Sequence, residues 1–352
     1  MPVQKTRIIG VMSGTSLDGV DIAELIFIES EGEIQYEILH AQTLPYTSNW
    51  IEKLRNSLNY SPAELENLNQ DYTEVLGQFI KKFISANNIQ NITAVASHGH
   101  TVLHQPQNGI ALQIGNLPKI AQIIGQKVVC DFRVQDVQYK GQGAPLVPIG
   151  DQLLFAEYDY CLNLGGFSNI SFDKNGQRIA YDICAVNTVL NYYALKLGFD
   201  YDDKGQISEN GTYDKTLFDK LNSLDFYGQK PPKSLGYEFV KTHIFPMTEN
   251  YAAETVLRTF TEHIAYQISQ NIAKDNSKLL ITGGGAYNEF LINRIKHYLP
   301  KTAITIPSAA LIEYKEALIF GLLGYLRLKN RINVLSSVTG ATHDHSSGFI
   351  YE

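Results

Sequence analysis

The stretch 8–21, IIGVMSGTSLDGVD, combines residue types that can bind phosphate. It begins as an apolar run typical of a buried strand, passes through turn formers, and resumes as a second strand-like pattern. Gly14 and Gly19 permit backbone angles and close ligand approach that a Cβ would prevent. The turn amides would cradle a phosphate, helped by three hydroxyls, those of Ser13, Thr15 and Ser16.

Two carboxylates, Asp18 and Asp21, accompany this turn. Either can hold a metal ion directly or orient one through water, and Asp18 is our candidate ligand. The plainer alternative is a tight hairpin whose hydroxyls bond within the turn. The position between two strands, with two acids attached, favours phosphate binding.

Glycine turns recur twice further along the chain. Gly165 and Gly166 lie between two strand-like segments, about 150 residues after the first hairpin, which suggests a duplicated domain. Gly283, Gly284 and Gly285 follow a buried strand and precede a helix, where backbone can approach a nucleotide. The chain has neither GxxxxGK[ST] nor a strand followed by GxGxxG, so neither a P-loop nor a dinucleotide-binding domain is expected.

The elements that position these turns alternate between strand and helix, which predicts a mixed α/β fold. Ser61-Pro62-Ala63-Glu64 has the pattern of a helix start, with a cap, an early proline and a reciprocal acid. Further strands are predicted over 33–44, 92–97, 127–131, 179–183 and 278–282, and helices over 50–58, 62–86, 187–197, 251–273 and 313–326.

The length and composition of the chain limit the classes of function that it can have. The 352 residues suit two domains, which we place at 1–150 plus about 330–352 and at 151–330. The net charge of −7 argues against a nucleic-acid partner or an anionic-membrane surface. The apolar segment 317–326 is too short to span a bilayer, so no membrane partner is expected. Three widely separated cysteines fit a reduced, cytoplasmic setting.

Several motifs together resemble the anhydro-N-acetylmuramic acid kinase family, within the actin, sugar kinase and Hsp70-like superfold. The resemblance covers nearly the whole chain. The matching segments are 10–19 (GVMSGTSLDG), 97–102 (SHGHTV), 131–133 (DFR), 141–148 (GQGAPLVP), 163–169 (NLGGFSN), 231–234 (PPKS), 283–288 (GGGAYN), 316–318 (EAL) and 337–341 (SVTGA). It implies a two-domain actin-like ATPase with a duplicated ribonuclease-H-like core and a central ligand cleft.

The resemblance also implies an activity. The family uses ATP and Mg²⁺ to phosphorylate 1,6-anhydro-N-acetylmuramic acid, an amino sugar from cell-wall turnover. Water opens the anhydro ring at C1 while O6 takes the γ-phosphoryl group, giving N-acetylmuramic acid 6-phosphate. A homodimer is expected from the family as well.

Site residues carry over onto matching positions of this chain. Asp182 matches the catalytic aspartate, a base for the attacking water. Arg133 matches an arginine that grips the lactyl carboxylate or a ring oxygen. Glu316 matches an acid that orients water or a hydroxyl, and Thr101 is a weaker sugar contact. The ATP-binding loops match at Ser13, Gly14, Thr15, Ser16, Asp18, Gly19, Gly165, Gly166, Gly283, Gly284 and Gly285.

The chain departs from the family pattern after Asp182. The family's Thr-Gly-Pro-Gly is replaced by Ile183-Cys184-Ala185-Val186 before Asn187, a bulkier and more apolar segment. This keeps two alternatives open. One is a related kinase acting on another amino sugar, and the other is a non-catalytic sugar or nucleotide sensor.

Simpler roles are available for the same residues. Asp182 could cap the following helix, and Glu316 could be a solvated acid in a first helical turn. Arg133 could pair with Asp131 or Asp136. The three neighbouring histidines resemble a metal cluster, but we expect hydrogen-bonding roles and a loop position for the last; they are His98, His100 and His104.

Overall fold

The computed structural model describes residues 4–14 and 17–352. The chain forms two compact units. The first comprises Met1–Leu154 and Tyr314–Glu352, and the second comprises Phe155–Glu313. Each unit is built around its own β-sheet, flanked by helices.

The sheet of the first unit has the strand order β12-β6-β4-β1-β2-β3, with β5 paired to β4. Strands β1, β2 and β3 form an antiparallel meander, whereas β4 runs parallel to β1 and β6 parallel to β4. The bounds are β1 Gln4–Ser13, β2 Gly19–Ser30, β3 Glu33–Pro45, β4 Ala94–Gln105, β5 Ile110–Ile114, β6 Val128–Cys130 and β12 Phe349–Tyr351.

The sheet of the second unit repeats this arrangement with the order β11-β10-β7-β8-β9. Again three antiparallel strands form one side and two parallel strands follow. The bounds are β7 Tyr160–Leu164, β8 Phe167–Lys174, β9 Gln177–Ala185, β10 Lys278–Thr282 and β11 Ala303–Thr305. The repeated strand order confirms a duplicated ribonuclease-H-like α/β core.

The helices of the first unit are α1 Ser48–Asn56, α2 Pro62–Ala86, α3 Lys119–Ile124, α4 Val134–Gln138, α5 Pro148–Leu154 and α15 Ser336–Thr339. Those of the second are α6 Asn187–Lys196, α7 Gln206–Asn210, α8 Lys215–Asn222, α9 Asp225–Gly228, α10 Tyr237–Phe239, α11 Phe245–Thr248, α12 Ala253–Ser269 and α13 Glu289–Tyr298. Helix α14, Ala309–Leu328, has non-helical backbone at Tyr314, where the first unit resumes.

The start of α2 has the capping box that its sequence predicts. The backbone N–H of Ser61 donates to Glu64 Oε2 at 2.8 Å, and the Ser61 hydroxyl accepts from the Glu64 N–H at 3.4 Å. Helix α2 then buries Tyr72 and Leu76 against the sheet that contains Ile9 and Val11. Burying such an apolar face, more than helix propensity, stabilises a helix in a folded domain.

Residues 314–330 belong to the first unit, whereas the boundary predicted from the sequence, at about residue 330, put them in the second domain. Close packing explains the difference. A Cβ at Gly10 of β1 would lie 2.0 Å from the carbonyl oxygen of Ala317. Helix α14 and strand β1 therefore touch through bare backbone, and this contact places the C-terminal part of α14 in the first unit.

Strand β4 extends further than its sequence predicts, through Gln105. His104 therefore lies in a strand rather than in a loop, because β5 returns alongside β4 and pairs Ala111 with His104. No described helix is both long enough and apolar enough to cross a membrane.

Candidate functional site

The hydroxyl of Ser13, at the end of β1, lies in a buried polar network. Its Oγ is 2.7 Å from the Tyr46 hydroxyl and 3.0 Å from His100 Nδ1, and it accepts from the Tyr72 hydroxyl at 2.8 Å. The two tyrosine oxygens are 2.5 Å apart. The Ser13 side chain thus points into the first unit, so its backbone is the part that could face a phosphate.

Burial dominates the electrostatics of this network. It raises the pKa of Tyr46 to about 12, an effect to which the charges of Asp18 and Asp21 add. Burial also lowers the pKa of His100 to about 4. The imidazole is therefore neutral at physiological pH, and its role here is hydrogen bonding.

The turn after Ser13 carries the acids. Asp18 is exposed, whereas Asp21 is part-buried and accepts from the Thr43 hydroxyl at 2.6 Å. Gly14 lies just beyond β1, and Gly19 begins β2. The predicted contributions of Thr15 and Ser16 lie outside the described residues.

These oxygen donors suit a magnesium ion carried by a nucleotide. Mg²⁺ in such sites keeps several waters and takes one or two carboxylates plus substrate phosphates, and the exposed Asp18 carboxylate is of that kind. Residues 4–14 and 17–352 contain no group of three or more His, Cys, Asp or Glu side chains that could hold a metal ion. The three histidines of β4 accordingly form no metal cluster in the described part of the chain.

Arg133, at the start of α4, donates from Nε to His98 Nε2 at 3.0 Å. His98 in turn directs Nδ1 at the Gly99 carbonyl oxygen, 2.8 Å away. Because one ring nitrogen donates and the other accepts, this histidine is neutral, and burial holds its pKa well below the usual range. The alternative of an Asp131 or Asp136 ion pair is wrong, since the Arg133 bond goes to His98.

Burial lowers the pKa of Arg133 to about 10, and the charge of Glu316 opposes this. Glu316 is exposed, yet partial desolvation by the surrounding protein raises the pKa of its carboxyl, against the charges of Arg133 and Lys315. Glu316 lies two residues after the non-helical Tyr314, in the first turn of the helical segment that follows this kink, so the simpler role of a solvated first-turn acid remains compatible with its position.

Thr101 lies in β4, directly opposite Gln113 of β5. The Thr101 hydroxyl and both polar atoms of the Gln113 side chain are buried without a hydrogen-bond partner among the described residues. Gln113 was not among the residues predicted from the sequence, although a lone glutamine in the apolar run Ile110–Ile114 was a usable signal.

In the second unit, the two glycine turns lie side by side. Strands β7 and β10 are parallel and place Asn163 opposite Thr282, so both turns leave the same edge of the sheet. Gly283 has φ +81°, and a Cβ there would lie 2.6 Å from Asn163 Oδ1 and 2.9 Å from the backbone of Leu164. Only glycine combines that backbone conformation with so close a contact.

The Gly165–Gly166 turn is held by its own carbonyl groups. The Gly166 oxygen accepts from the Val186 and Thr188 amides at 2.8 and 3.2 Å, and the Gly165 oxygen accepts from the Asn187 amide at 3.2 Å. The turn thereby fixes the start of α6. Gly166 and Gly284 remain exposed and offer their backbone to a ligand.

Asp182 lies in β9 at a β-bulge, where the pairing shifts from Asn169–Asp182 to Ser168–Cys184. Its Oδ2 accepts from the Leu235 amide at 2.8 Å, and its own amide donates to the Lys233 carbonyl at 3.1 Å. Burial raises the pKa of this carboxyl, partly offset by the Leu235 bond. The helix-cap alternative is wrong, because Val186 occupies the cap position of α6.

The segment that departs from the family pattern, Ile183–Val186, is fully buried. Its four side chains pack in the core of the second unit together with Leu162, Val189 and Phe260. The bulk that replaces the family's glycines and proline therefore enters the core, while Asp182 and Asn187 on either side stay part-exposed.

Comparisons with known proteins identify the family. The family model for anhydro-N-acetylmuramic acid kinase matches residues 6–352. Curated proteins of that name from Pseudomonas fluorescens and Mannheimia succiniciproducens are 34% and 33% identical to the chain. The alignments cover 97% of the chain and 98% of the first relative, and 99% of the chain and 100% of the second.

Among solved structures, the chain is similar to the activator of 2-hydroxyisocaproyl-CoA dehydratase from Clostridium difficile with bound ADPNP. That match has a TM-score of 0.45 at 14% identity and covers 92% of the chain and 96% of the other protein. A ROK family glucokinase from Streptomyces griseus gives 0.40 at 14% identity, covering 90% and 98%. Because a family model spans nearly the whole sequence and relatives exceed 30% identity over it, the chain belongs to the anhydro-N-acetylmuramic acid kinase family of ATP-dependent sugar kinases.

Proposed function

We propose that this chain opens 1,6-anhydro-N-acetylmuramic acid with water and phosphorylates the freed O6 from ATP. Water forms a bond to C1 as the C1–O6 bond breaks. O6 then forms a bond to the γ-phosphorus of ATP, and the bond between the γ-phosphorus and the oxygen that bridges to the β-phosphate breaks. The products are N-acetylmuramic acid 6-phosphate and ADP, and the water proton passes to a base.

Asp182 is the proposed base, and its surroundings are the observation that carries the proposal. Burial raises the pKa of its carboxyl, which makes the ionised form a stronger base. The Leu235 amide fixes Oδ2, so Oδ1 can accept the proton from water. A carboxylate also suits the positive character that develops at C1.

Arg133 is proposed to hold the sugar's lactyl carboxylate. Its Nε is occupied by His98, while no described residue hydrogen-bonds its two terminal nitrogens. Those two nitrogens present the parallel donors that a carboxylate accepts. Glu316, whose charge reaches Arg133, is proposed to orient a sugar hydroxyl or the attacking water.

ATP is proposed to lie against the glycine turns. In the second unit, the backbone of Gly165, Gly166 and the 283–285 turn is proposed to bind nucleotide, and in the first unit the Ser13–Gly19 turn is proposed to bind phosphate oxygens. Mg²⁺, when bound, would neutralise phosphate charge, with Asp18 as its proposed protein ligand. The turns themselves position the phosphates and keep bulky side chains away from them.

The two alternative functions gain no support from the structure. A changed sugar pocket or a lost activity was suggested by the bulk of Ile183–Val186, but those side chains are buried in the core. We retain a single proposal on that ground.

The test is a short incubation of the protein with MgATP and 1,6-anhydro-N-acetylmuramic acid in ¹⁸O-water, followed by mass spectrometry. We expect a 6-phosphate with ¹⁸O at C1 and none in the phosphate. Unlabelled product held in the same water for the same time corrects for exchange at the anomeric carbon. Product without ¹⁸O above that correction, or no product, would contradict the proposal.

Asp182→Asn tests the base. We expect a loss of turnover of about 10³-fold, within the range for removing a general base. Asp219→Asn is the matched control, since that aspartate is exposed and bonds only Lys215 on the surface of α8. ATP binding by titration calorimetry should be retained in both variants. Equal turnover in the two would exclude Asp182 as the base.

A further inference from the structure

Thr101 and Gln113 form an unsatisfied polar pair within the first unit. They are directly opposite each other on antiparallel strands, so their side chains share one face of the sheet. The pairing shifts immediately afterwards, from Thr101–Gln113 to Leu103–Leu112. Such bulges frequently accompany binding sites, because they redirect side chains.

Gln113 is only 5% exposed, and neither end of its amide has a hydrogen-bond partner in the described part of the chain. The buried Thr101 hydroxyl lacks one as well. A buried polar group without a partner is costly, so native proteins pair nearly all of them with protein, water or ligand. Three such atoms at one register position indicate that something from outside the chain binds there.

The pair lies near the proposed sugar-binding arginine. Helix α4, which Arg133 precedes, packs against β5. The charge of Arg133 also contributes to lowering the pKa of His104, which follows Thr101 along β4. The unpaired atoms and the free guanidinium nitrogens therefore belong to one region of the first unit.

The chemistry of the unpaired atoms selects the group that they bind. Gln113 offers both a carbonyl acceptor and an NH₂ donor, and the Thr101 hydroxyl can serve either way. A carboxylate would satisfy only the donor and leave Oε1 unpaired. A secondary amide satisfies both, because its N–H donates to Oε1 and its C=O accepts from Nε2.

We propose that Thr101 and Gln113 bind the acetamido group of the sugar. This inference rests on the proposed function and names the residues that distinguish an N-acetylated amino sugar from its 2-hydroxyl analogue. Arg133 then binds the lactyl carboxylate, and Thr101 and Gln113 bind the substituent at C2.

The test compares two substrates with Gln113→Leu. The substrates are 1,6-anhydro-N-acetylmuramic acid and the same 3-O-lactyl anhydro sugar with a hydroxyl in place of the acetamido group. We expect the variant to lose about 10- to 100-fold in kcat/KM for the acetamido substrate, the equivalent of one or two hydrogen bonds. Its kcat/KM for the hydroxyl analogue should change less than about threefold. Thr101→Val should show the same selectivity with a smaller loss.

The thermal stability of the free protein gives an independent readout. Replacing an unsatisfied buried amide by an apolar side chain of similar size is neutral or stabilising. We therefore expect Gln113→Leu to keep or raise Tm. The matched control is Gln267→Leu in α12, a glutamine that is also 5% exposed but donates to Asn222 at 2.7 Å. It should lower Tm without changing the preference between the two substrates.

Each outcome decides the proposal. A lower Tm together with equal losses on both substrates would show that Gln113 binds an internal water, and would overturn the inference. Unchanged discrimination in the variant would overturn it as well. Failure of the proposed function is distinguishable, because the wild type would then phosphorylate neither substrate while the Tm comparison still reports on Gln113.

Discussion

The first hairpins of the two units share a topology but are held differently. In the first unit, the end of β1 is anchored by a buried side-chain network of Ser13, Tyr46, Tyr72 and His100. In the second, the β7–β8 turn is anchored by backbone amides of residues 186–188 and by glycines packed against Leu164. One hairpin thus relies on titratable side chains and the other on bare backbone.

The two copies of the duplicated fold therefore stabilise equivalent turns by different interactions, which respond differently to perturbation. A network of side chains can accept the replacement of one side chain by another of similar shape. Its stability depends on pH, because the groups within it ionise. Backbone turns respond little to pH but tolerate no added side-chain atoms where chains touch. The two turns should therefore fail under different perturbations.

The largest effect is expected from Gly283→Ala, which adds a Cβ to the backbone-held turn. The left-handed φ and the 2.6 Å approach to Asn163 Oδ1 should together cost about 4 kcal/mol of unfolding free energy. Urea denaturation measures this. Gly284→Ala is the control, since a Cβ there has no atom nearer than 3.9 Å, and it should be nearly neutral. Similar losses in both variants would contradict the packing argument.

The next effect concerns the side-chain network and pH. His100 has a pKa of about 4 when folded, against an ordinary value of about 6.5. Below pH 6.5 the unfolded chain binds a proton that the folded protein excludes, so stability falls as pH falls to about 4. His100→Gln should reduce the loss of unfolding free energy between pH 7 and pH 4.5 by about 2.4 kcal/mol.

Urea unfolding at the two pH values checks this second prediction. His297→Gln, at an exposed position of α13, should leave the pH dependence as it is in the wild type. A His100→Gln protein with the full acid sensitivity would show that the network does not set it.

A smaller effect is expected from Leu235→Pro, which removes the amide that donates to Asp182. Loss of this bond should raise the pKa of the Asp182 carboxyl further, since the bond lowers it. The acidic limb of the kcat/KM profile should move to higher pH, with about a tenfold loss of rate below it. Leu235→Ala keeps the amide and should keep the wild-type limb. If the acidic limb of the kcat/KM profile stays at the wild-type pH in the proline variant, the ionisation of Asp182 does not set that limb.

The smallest effect is expected from Tyr72→Phe. The ring stays buried while one hydroxyl leaves the Ser13 network, which should cost about 1 kcal/mol. Thermal unfolding measures this. Tyr298→Phe, on the half-buried outer face of α13, provides a comparison of the same chemistry in the second unit.

The order of elements was predictable from sequence because it depends on local patterns. The strand–turn–strand repeat, the Ser61 cap and the strand before Gly283 all occur in the structure as predicted. Errors arose where distant segments meet. The pairing of β5 extended β4 through His104, and backbone contact with Gly10 placed 314–330 in the first unit.

The candidate site divides in the same way. Its residue types could be selected from the sequence, and Asp182, Arg133, Glu316 and Asp18 remain the proposed groups. The hydrogen-bond partner of Arg133 could not be predicted from the sequence, because His98 is far from Arg133 along the chain. The inward direction of the Ser13 hydroxyl was equally hidden, since Tyr46 and Tyr72 come from other elements.

The sequence by itself therefore determined the element order, the glycine turns, the family and the candidate chemistry. These follow from hydrophobic period, turn residues and motifs, which act over short distances along the chain. Only the tertiary structure decided that Asp182 is held by the Leu235 amide and that Gln113 is buried without a partner. Hydrogen bonding and desolvation depend on which remote segments come together, and local sequence does not specify that.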